Sequence, residues 1–377
     1  RAYLGKPVQQ LDLAESALLA GLIQSPSTYN PLNHPEAALA RQRQVLDLMV
    51  EAGYLTARQA DAAAAEPLRF AGSADHMLAP HAVVYARDEL AHLLSPEQIA
   101  AGGLRVYTTI DWPLQRKAEQ SLRQHLERLN TPKPDEPAHQ VHNGAVVVLD
   151  VPSGAIEVMV GSPNYEDSSI DGAVNGALAL RQPGSSVKPF TYAAAFERGY
   201  SPATVISDVP STFVTEDGRA YTPINYDYRY HGLVSLRQGL ANSYNVVAVK
   251  LLDQLGVRAL PDMAHRLGVP ALADSVEHGL AMTLGSAEVP LLQLVTGYAT
   301  LAREGRYRDT YIIERVEAAD GTVLYQHQPT PATQVVDPRV AYLVTDILAD
   351  ADARLPTFGP NSPLEAGLIA AVKTGTT

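Results

Sequence analysis

The sequence contains no cysteine, which excludes disulfides, thiolate catalysis and Cys-ligated metals and leaves the chain fit for an oxidising compartment. It also lacks a long hydrophobic run. The longest obvious apolar stretch, Ala17 to Ile23, falls far short of the roughly 18 residues that a membrane span needs. No secretory signal is present, so this stretch of chain, taken alone, is expected to be soluble. Basic residues are in deficit, 29 Lys and Arg against 41 Asp and Glu, for a formal charge of −12. Such a balance repels phosphate backbones, and no nucleic-acid partner is expected. There is no internal repeat, and the 11 histidines are scattered without convincing metal spacing; His76 with His81 reads as incidental. The chain opens at Arg1 without a methionine and stops at Thr377 directly after a promising motif. Both ends are therefore expected to be cut, with targeting and anchoring signals lost.

What is present suffices for two or three domains with cores of their own, at 377 residues and 46% hydrophobic content. From Leu11 to Glu66, apolar and alanine positions recur at helical spacing, broken by a Pro-rich loop from Ser25-Pro26 to His34-Pro35. Asp12 can cap a helix containing Glu15 to Leu22, and Thr56 precedes a short helix, Ala57 to Ala65. Residues 70–141 read as a linker module: a helix around Val83 to Leu94, a β-like run Leu104 to Ile110, and a charged helix Pro113 to Leu129. The stretch Thr131 to His139, rich in proline and charge, marks a boundary. A sheet texture begins at Gly144, where GAVVVLD, the turn Pro152-Ser153-Gly154 and AIEVMVG read as a β-hairpin. Ser185 to Arg198 and Leu240 to Leu255 have helical spacing, and Leu368 to Val372 reads as a buried strand leading into Lys373. Strands alternate with helices, and the simplest architecture is a sheet covered by helices.

Three short motifs follow one another in the last domain: Ser185-Ser186-Val187-Lys188, Ser243-Tyr244-Asn245 and Lys373-Thr374-Gly375. Each alone is weak, and a further S-x-N at Ser162-Pro163-Asn164 reads as a loop accident. Composition puts all three in order at a chance on the order of one in a thousand. The chemistry is coherent. A serine hydroxyl needs a base to take its proton as it attacks a carbonyl, and on a helix Lys188 lies one turn from Ser185 on the same face. Lys188 can be that base only if burial and neighbouring positive charge lower its pKa; Lys373 could supply the charge. Pro183 and Gly184 fit a tight entry that places Ser185 at a helix N-terminus, where its N–H can stabilise an oxyanion. Ser243 suits proton relay to a leaving amine, Asn245 can orient the lysine and a substrate amide, and Lys373 with Thr374 and Thr376 offers a seat for a carboxylate. The two lysines are thus expected to converge on the Ser185 hydroxyl.

The wider strings carry a family resemblance. Arg181-Gln182-Pro183-Gly184-Ser185-Ser186-Val187-Lys188-Pro189-Phe190, then Ala281-Met282-Thr283-Leu284-Gly285-Ser286 with Glu288-Val289, resemble the class A penicillin-binding proteins. Leu13-Ala14-Glu15-Ser16-Ala17-Leu18-Leu19-Ala20-Gly21-Leu22, Ser25-Pro26-Ser27-Thr28-Tyr29-Asn30-Pro31, and Arg41 with Arg43 look like the end of the family's glycosyltransferase domain. The resemblance implies an α/β (α+β) fold in which a five-stranded antiparallel sheet lies between helices. It divides the chain into a glycosyltransferase remnant, 1–69, the linker module, 70–141, and a transpeptidase domain, 142–377. It implies a serine D,D-transpeptidase that cross-links stem peptides ending in D-Ala-D-Ala and is acylated by β-lactams. No cofactor or metal is implied, and catalysis falls to Ser185, Lys188, Ser243, Asn245 and Lys373. Thr374, Gly375 and Thr376 would bind substrate, and the N–H of Thr376 would be the second oxyanion donor. The implied setting is the periplasmic face of the inner membrane, held there by an anchor missing from this fragment, with peptidoglycan peptides and glycan strands as partners. Nothing matches the family's glycosyltransferase general-base glutamate; Glu15 reads as structural, so the fragment is expected not to polymerise glycan.

The competing readings are a serine β-lactamase and a β-lactam-binding sensor domain. No E-x-x-x-N occurs between Asn245 and Lys373, which argues against the class A deacylation base. The glycosyltransferase-like segment argues against the sensor. An α/β-hydrolase is less fitting still, because Ser185 lacks a G-x-S-x-G frame.

Overall fold

The computed structural model describes residues 3–70, 77–133, 137–214, 218–360, 362–364 and 367–376. The chain divides into two compact units, Arg1–Leu78 and Ala79–Thr377. His76 lies outside the described residues.

The first unit is helical: α1 (Leu13–Leu22), α2 (Pro35–Glu51) and α3 (Ala57–Ala65). Asp12 and Thr56 each start a helix through a reciprocal capping box, with Glu15 and Gln59 as the returning side chains. Glu15 is buried and ion-paired to Lys6 at 2.6 Å, so it serves the fold as the sequence suggested. Ala14, Ala17, Leu46, Ala60 and Ala63 form the core, small enough for the three helices to approach closely.

The second unit continues through α4 (Pro80–Leu93), α5 (Pro96–Ala100), β1 (Arg105–Thr108) and α6 (Trp112–Asn130) to the hairpin β2 (Val146–Leu149) and β3 (Ile156–Val160). In the hairpin turn Gly154 has φ +81, and a Cβ there would lie 2.6 Å from the Asp309 carbonyl oxygen. The hairpin is apolar on both faces because both are covered. Val146, Val148, Val158 and Val160 pack with Leu122 and Leu126 of α6. Val147, Leu149 and Met159 instead join a core with Leu292, Val295 and Ala299 of a later helix.

Next come α7 (Lys188–Glu197), β4 (Val205–Asp208), β5 (Gly232–Ser235), α8 (Leu236–Ala241), α9 (Asn245–Leu255) and α10 (Ala259–Leu267). They are followed by α11 (Leu291–Ala302), β6 (Ile313–Glu317), β7 (Val323–Gln326), α12 (Pro338–Ala349) and α13 (Ala351–Phe358). β6 pairs antiparallel with both β1 and β7, and β4 pairs antiparallel with β5. The hairpin is tied to the first of these sheets by a parallel bridge, Ala155 to Tyr311. Among the described residues the largest sheet has three strands, not five. α7 sits at the centre of the helical layer, buried from Lys188 to Phe196 and packed in one core with α9, α10 and α12. A helix apolar all round requires that setting.

Two further readings change. The helix expected over 240–255 is two helices, α8 and α9, separated by Ser243 at φ +59. The expected strand Leu368 to Val372 does not form among the described residues: Leu368 lies in a bend, the residues after it have no regular structure, and Leu368 is 82% and Ile369 96% exposed. An apolar run is buried only where a neighbour covers it, and here, among the described residues, the one backbone bond runs from Val372 N–H to the Leu348 carbonyl.

Candidate active site

Ser185 stands in a 3-10 turn, Gly184–Val187, that feeds directly into α7 at Lys188. With three residues per turn, positions i and i+3 lie one above the other, so the serine and the lysine share a face more closely than on an α-helix. Pro189 in the first turn of α7 needs no N–H partner there. The Tyr298 hydroxyl donates to the Ser186 carbonyl at 2.7 Å, and its ring meets Phe190 edge-on. The turn is thereby pinned from behind.

Three glycines let distant backbone reach this turn. A Cβ on Gly184, at φ +57, would fall 2.3 Å from the Thr376 oxygen. On Gly375 it would fall 2.5 Å from the Pro183 oxygen, and on Gly285 2.2 Å from Gly184 N. The Lys373–Thr376 segment therefore lies flush against the Ser185 turn. The N–H groups of Ser185 and Thr376 have no acceptor among the described residues, an arrangement suited to a developing oxyanion.

Lys188 is fully buried. Its Nζ donates to the Ser243 carbonyl and to Asn245 Oδ1, each at 2.6 Å, and stands 3.2 Å from Ser243 Oγ. In its neutral form the amine has two N–H donors and one lone pair, so it serves at most two of these three oxygens at once and keeps a lone pair for a proton. Burial first, and the charge of Lys373 second, hold the Lys188 pKa well below the usual lysine value. Lys373 donates to Ser243 Oγ at 2.8 Å and to the Thr374 carbonyl at 2.7 Å. Desolvation brings its pKa down to about 7.

The two lysines thus converge as expected, but the hydroxyl where they meet is Ser243 Oγ. Ser185 Oγ itself makes no hydrogen bond among the described residues. Ser243 Oγ accepts from Lys373 and lies within hydrogen-bond reach of Lys188 Nζ, so the three groups are placed to pass a proton between them. The left-handed backbone at Ser243 puts its side chain and its carbonyl on the same lysine. Asn245 Nδ2 donates to the Ile224 carbonyl at 2.8 Å, which fixes Oδ1 toward Lys188.

A cleft of about 780 Å³ opens over these groups, lined by Ser185, Ser243, Asn245, Thr374 and Thr376. Its wall also holds Asn225, Tyr226, Asp227, Arg229 and Thr357, which sequence reasoning missed. The first four lie in Thr222 to His231, a polar Asn- and Asp-containing segment of the kind that forms loops, and no spacing ties that segment or Thr357 to a serine. Ser162 of the stray S-x-N is buried, accepts from or donates to His81 Nε2 at 2.9 Å and donates to the Gly172 carbonyl; it does not line the cleft. Among the described residues no three His, Asp or Glu cluster to hold a metal ion, and no helix is long and apolar enough to cross a membrane.

Residues 144–377 match the family model described as penicillin binding protein transpeptidase domain, and residues 1–50 match the transglycosylase model. Penicillin-binding protein 1B of Vibrio cholerae is 33% identical over 382 residues, which takes in 100% of this chain and 47% of that protein. Penicillin-binding protein 1A of Neisseria flavescens is 29% identical, over 100% of this chain and 59% of that protein. The chain therefore spans about half the length of these relatives. Among solved structures, penicillin-binding protein 1A of Haemophilus influenzae superposes with a TM-score of 0.74 at 23% identity, over 92% of this chain and 69% of that one. The Mycobacterium tuberculosis protein PonA1, in complex with penicillin V, gives 0.59 at 24% identity, over 72% and 71%. These structural likenesses speak for the fold alone.

Proposed function

The chain belongs to the penicillin-binding protein transpeptidase family, and from that membership we propose that it is the acyl-transfer part of a bifunctional peptidoglycan synthase. Ser185 is the nucleophile, and neutral Lys188 takes its proton as the hydroxyl attacks the penultimate carbonyl of a stem peptide ending in D-Ala-D-Ala. The N–H groups of Ser185 and Thr376 stabilise the tetrahedral oxyanion. The proton then passes through Ser243 Oγ to the departing D-alanine amine, and the C–N bond breaks to leave an ester on Ser185. An amine from a neighbouring strand attacks that ester by the same steps reversed, forming the cross-link and regenerating the serine. Lys373, with Thr374 and Thr376, seats the terminal carboxylate, and Gly375 lets that segment lie against Pro183. The same serine opens β-lactam rings.

The observation that carries this reading is the meeting of a fully buried, deprotonation-prone lysine and a second lysine on one hydroxyl, in the cleft that Ser185 lines. The setting that goes with it is the outer face of the bacterial plasma membrane, with glycan strands and stem peptides as partners and an anchor elsewhere in the whole protein. Intact-mass spectrometry after incubation with a fluorescent penicillin tests the reading. One penicilloyl group per chain, stable for minutes and absent in Ser185→Ala, is expected. Labelling that survives the substitution overturns the assignment, and an adduct hydrolysed within seconds marks a β-lactamase instead.

A further inference from the structure

α9 starts at Asn245, yet the residue at its N-cap, Tyr244, supplies no side-chain acceptor. The missing acceptor comes from twenty residues earlier. Asn225 Oδ1 accepts from the N–H of Asn245 at 2.8 Å and from that of Val246 at 3.3 Å. At its other end Asn225 Nδ2 donates to both Asp208 oxygens, at 3.0 and 2.8 Å, and to the Arg229 carbonyl at 2.8 Å. Facing an acceptor-only carboxylate, the amide can point only one way, with its oxygen toward α9. Asn225 is buried and Asp208 wholly so, which is the setting where a misdirected amide is costly.

Asp208 is itself held. It sits at the end of β4, accepts from the His231 N–H at 3.0 Å, and has His231 Nδ1 2.6 Å away. The His231 ring stacks on Tyr244 at 3.9 Å, nearly parallel. The neighbouring carbonyl of Ile224 takes Asn245 Nδ2. Residues 224–225 therefore grip Asn245 by both backbone and side chain, and the atom left over, Asn245 Oδ1, is the one bonded to Lys188. Among the described residues, Asn225, Asp208 and His231 make no hydrogen bond to Ser185 Oγ.

We propose that Asn225, oriented by Asp208, is a positioning residue for acyl transfer, holding the Ser243–Asn245 turn so that Lys188 keeps its lone pair toward the incoming proton. The proposal rests on Ser185 acylation as read above. It requires that losing Asn225 slow the chemical step while leaving the carboxylate seat at Lys373 to Thr376 in place, so ligand affinity stays.

Stopped-flow acylation with a fluorescent penicillin separates the limiting rate from the half-saturating concentration. Asn225→Ala is expected to cut the limiting rate roughly 10- to 100-fold, the scale on which a small misplacement costs rate, and to leave half-saturation within about twofold. Asp208→Asn should act on the same step. The double variant should be no slower than Asn225→Ala beyond about twofold, because the two residues act as one unit. Asn225→Asp keeps an oxygen for α9 but sets a second carboxylate against Asp208, and it covers the case in which the alanine variant does not fold; it too should lose about tenfold in rate. A folded Asn225→Ala or Asn225→Asp that acylates at the wild-type rate overturns the proposal. So does a variant that only raises half-saturation, or a double variant whose losses multiply. Failure of the parent chain to acylate at Ser185 would strike the functional reading instead.

Discussion

Replacing Gly184 by alanine removes no proposed catalytic atom, yet it should disable the site. The added Cβ would sit 2.3 Å from the Thr376 oxygen, 2.7 Å from its carbonyl carbon and 2.8 Å from its nitrogen. All three are backbone atoms, so no side chain can swing aside. To reach even a tight 3.0 Å contact the Lys373–Thr376 segment must retreat from the Ser185 turn by about 0.7 Å. The φ of +57 adds roughly 1–2 kcal/mol of strain for any residue with a Cβ. A displacement of this size between nucleophile and oxyanion donor is expected to slow acylation by about 100-fold, while the strain lowers the melting temperature by a few degrees. The assay is penicillin acylation followed by intact mass over time, with thermal unfolding recorded on the same sample. A folded Gly184→Ala protein that acylates at the wild-type rate would refute the idea that the seam between Ser185 and Thr376 is the reacting geometry.

The lysines make two pH predictions. Because proposed catalysis needs Lys188 neutral and Lys373 charged, second-order acylation should rise with pH through the depressed Lys188 pKa and fall as Lys373 loses its proton near 7. Lys373→Arg stays charged and should lose the falling limb; a falling limb that survives this change removes Lys373 from the explanation. For stability the sign is opposite to that of an ion-paired lysine. Between about pH 7 and the ordinary lysine value of 10.5 the unfolded chain binds more protons at Lys373 than the folded one, so this residue's destabilising effect fades as pH rises through that window. Denaturant titrations of wild type and Lys373→Met should show the variant's advantage shrinking from pH 7 to 10; an unchanged difference would contradict the depressed pKa. His81→Ala orphans the buried Ser162 hydroxyl on one side and should cost about 1–3 kcal/mol of stability with acylation unchanged, measured by denaturant unfolding beside penicillin labelling.

Much of this arrangement was legible because it is local. The caps at Asp12 and Thr56, the hairpin around Gly154 and the three-residue step from Ser185 to Lys188 are all set by neighbours in sequence. The three motifs could be picked out because their conjunction is improbable by chance, and the structure brings Ser185, Ser243, Asn245, Thr374 and Thr376 to one cleft. What could not be read depends on tertiary contact. Apolar periodicity runs unbroken from Leu240 to Leu255 and hides the left-handed residue that splits the helix. Asn225 works only because Asp208 and α9 reach it from other elements, and no pattern in Thr222 to His231 declares that. Leu368 to Val372 has a strand's composition, but composition does not say whether a ladder stands beside it. His81 is a single histidine in a helical stretch, and its buried partner lies 81 positions away.

The left-handed conformation of Ser243 sets foldability against chemistry at one position. Glycine would occupy φ +59 without the penalty that serine bears there, so a chain optimised solely for thermal endurance would drift to glycine at this site. That drift would erase the oxygen on which both lysine side chains meet. Heat-tolerant variants gathered by screening for melting temperature alone should be sequenced at this codon before they are trusted as catalysts.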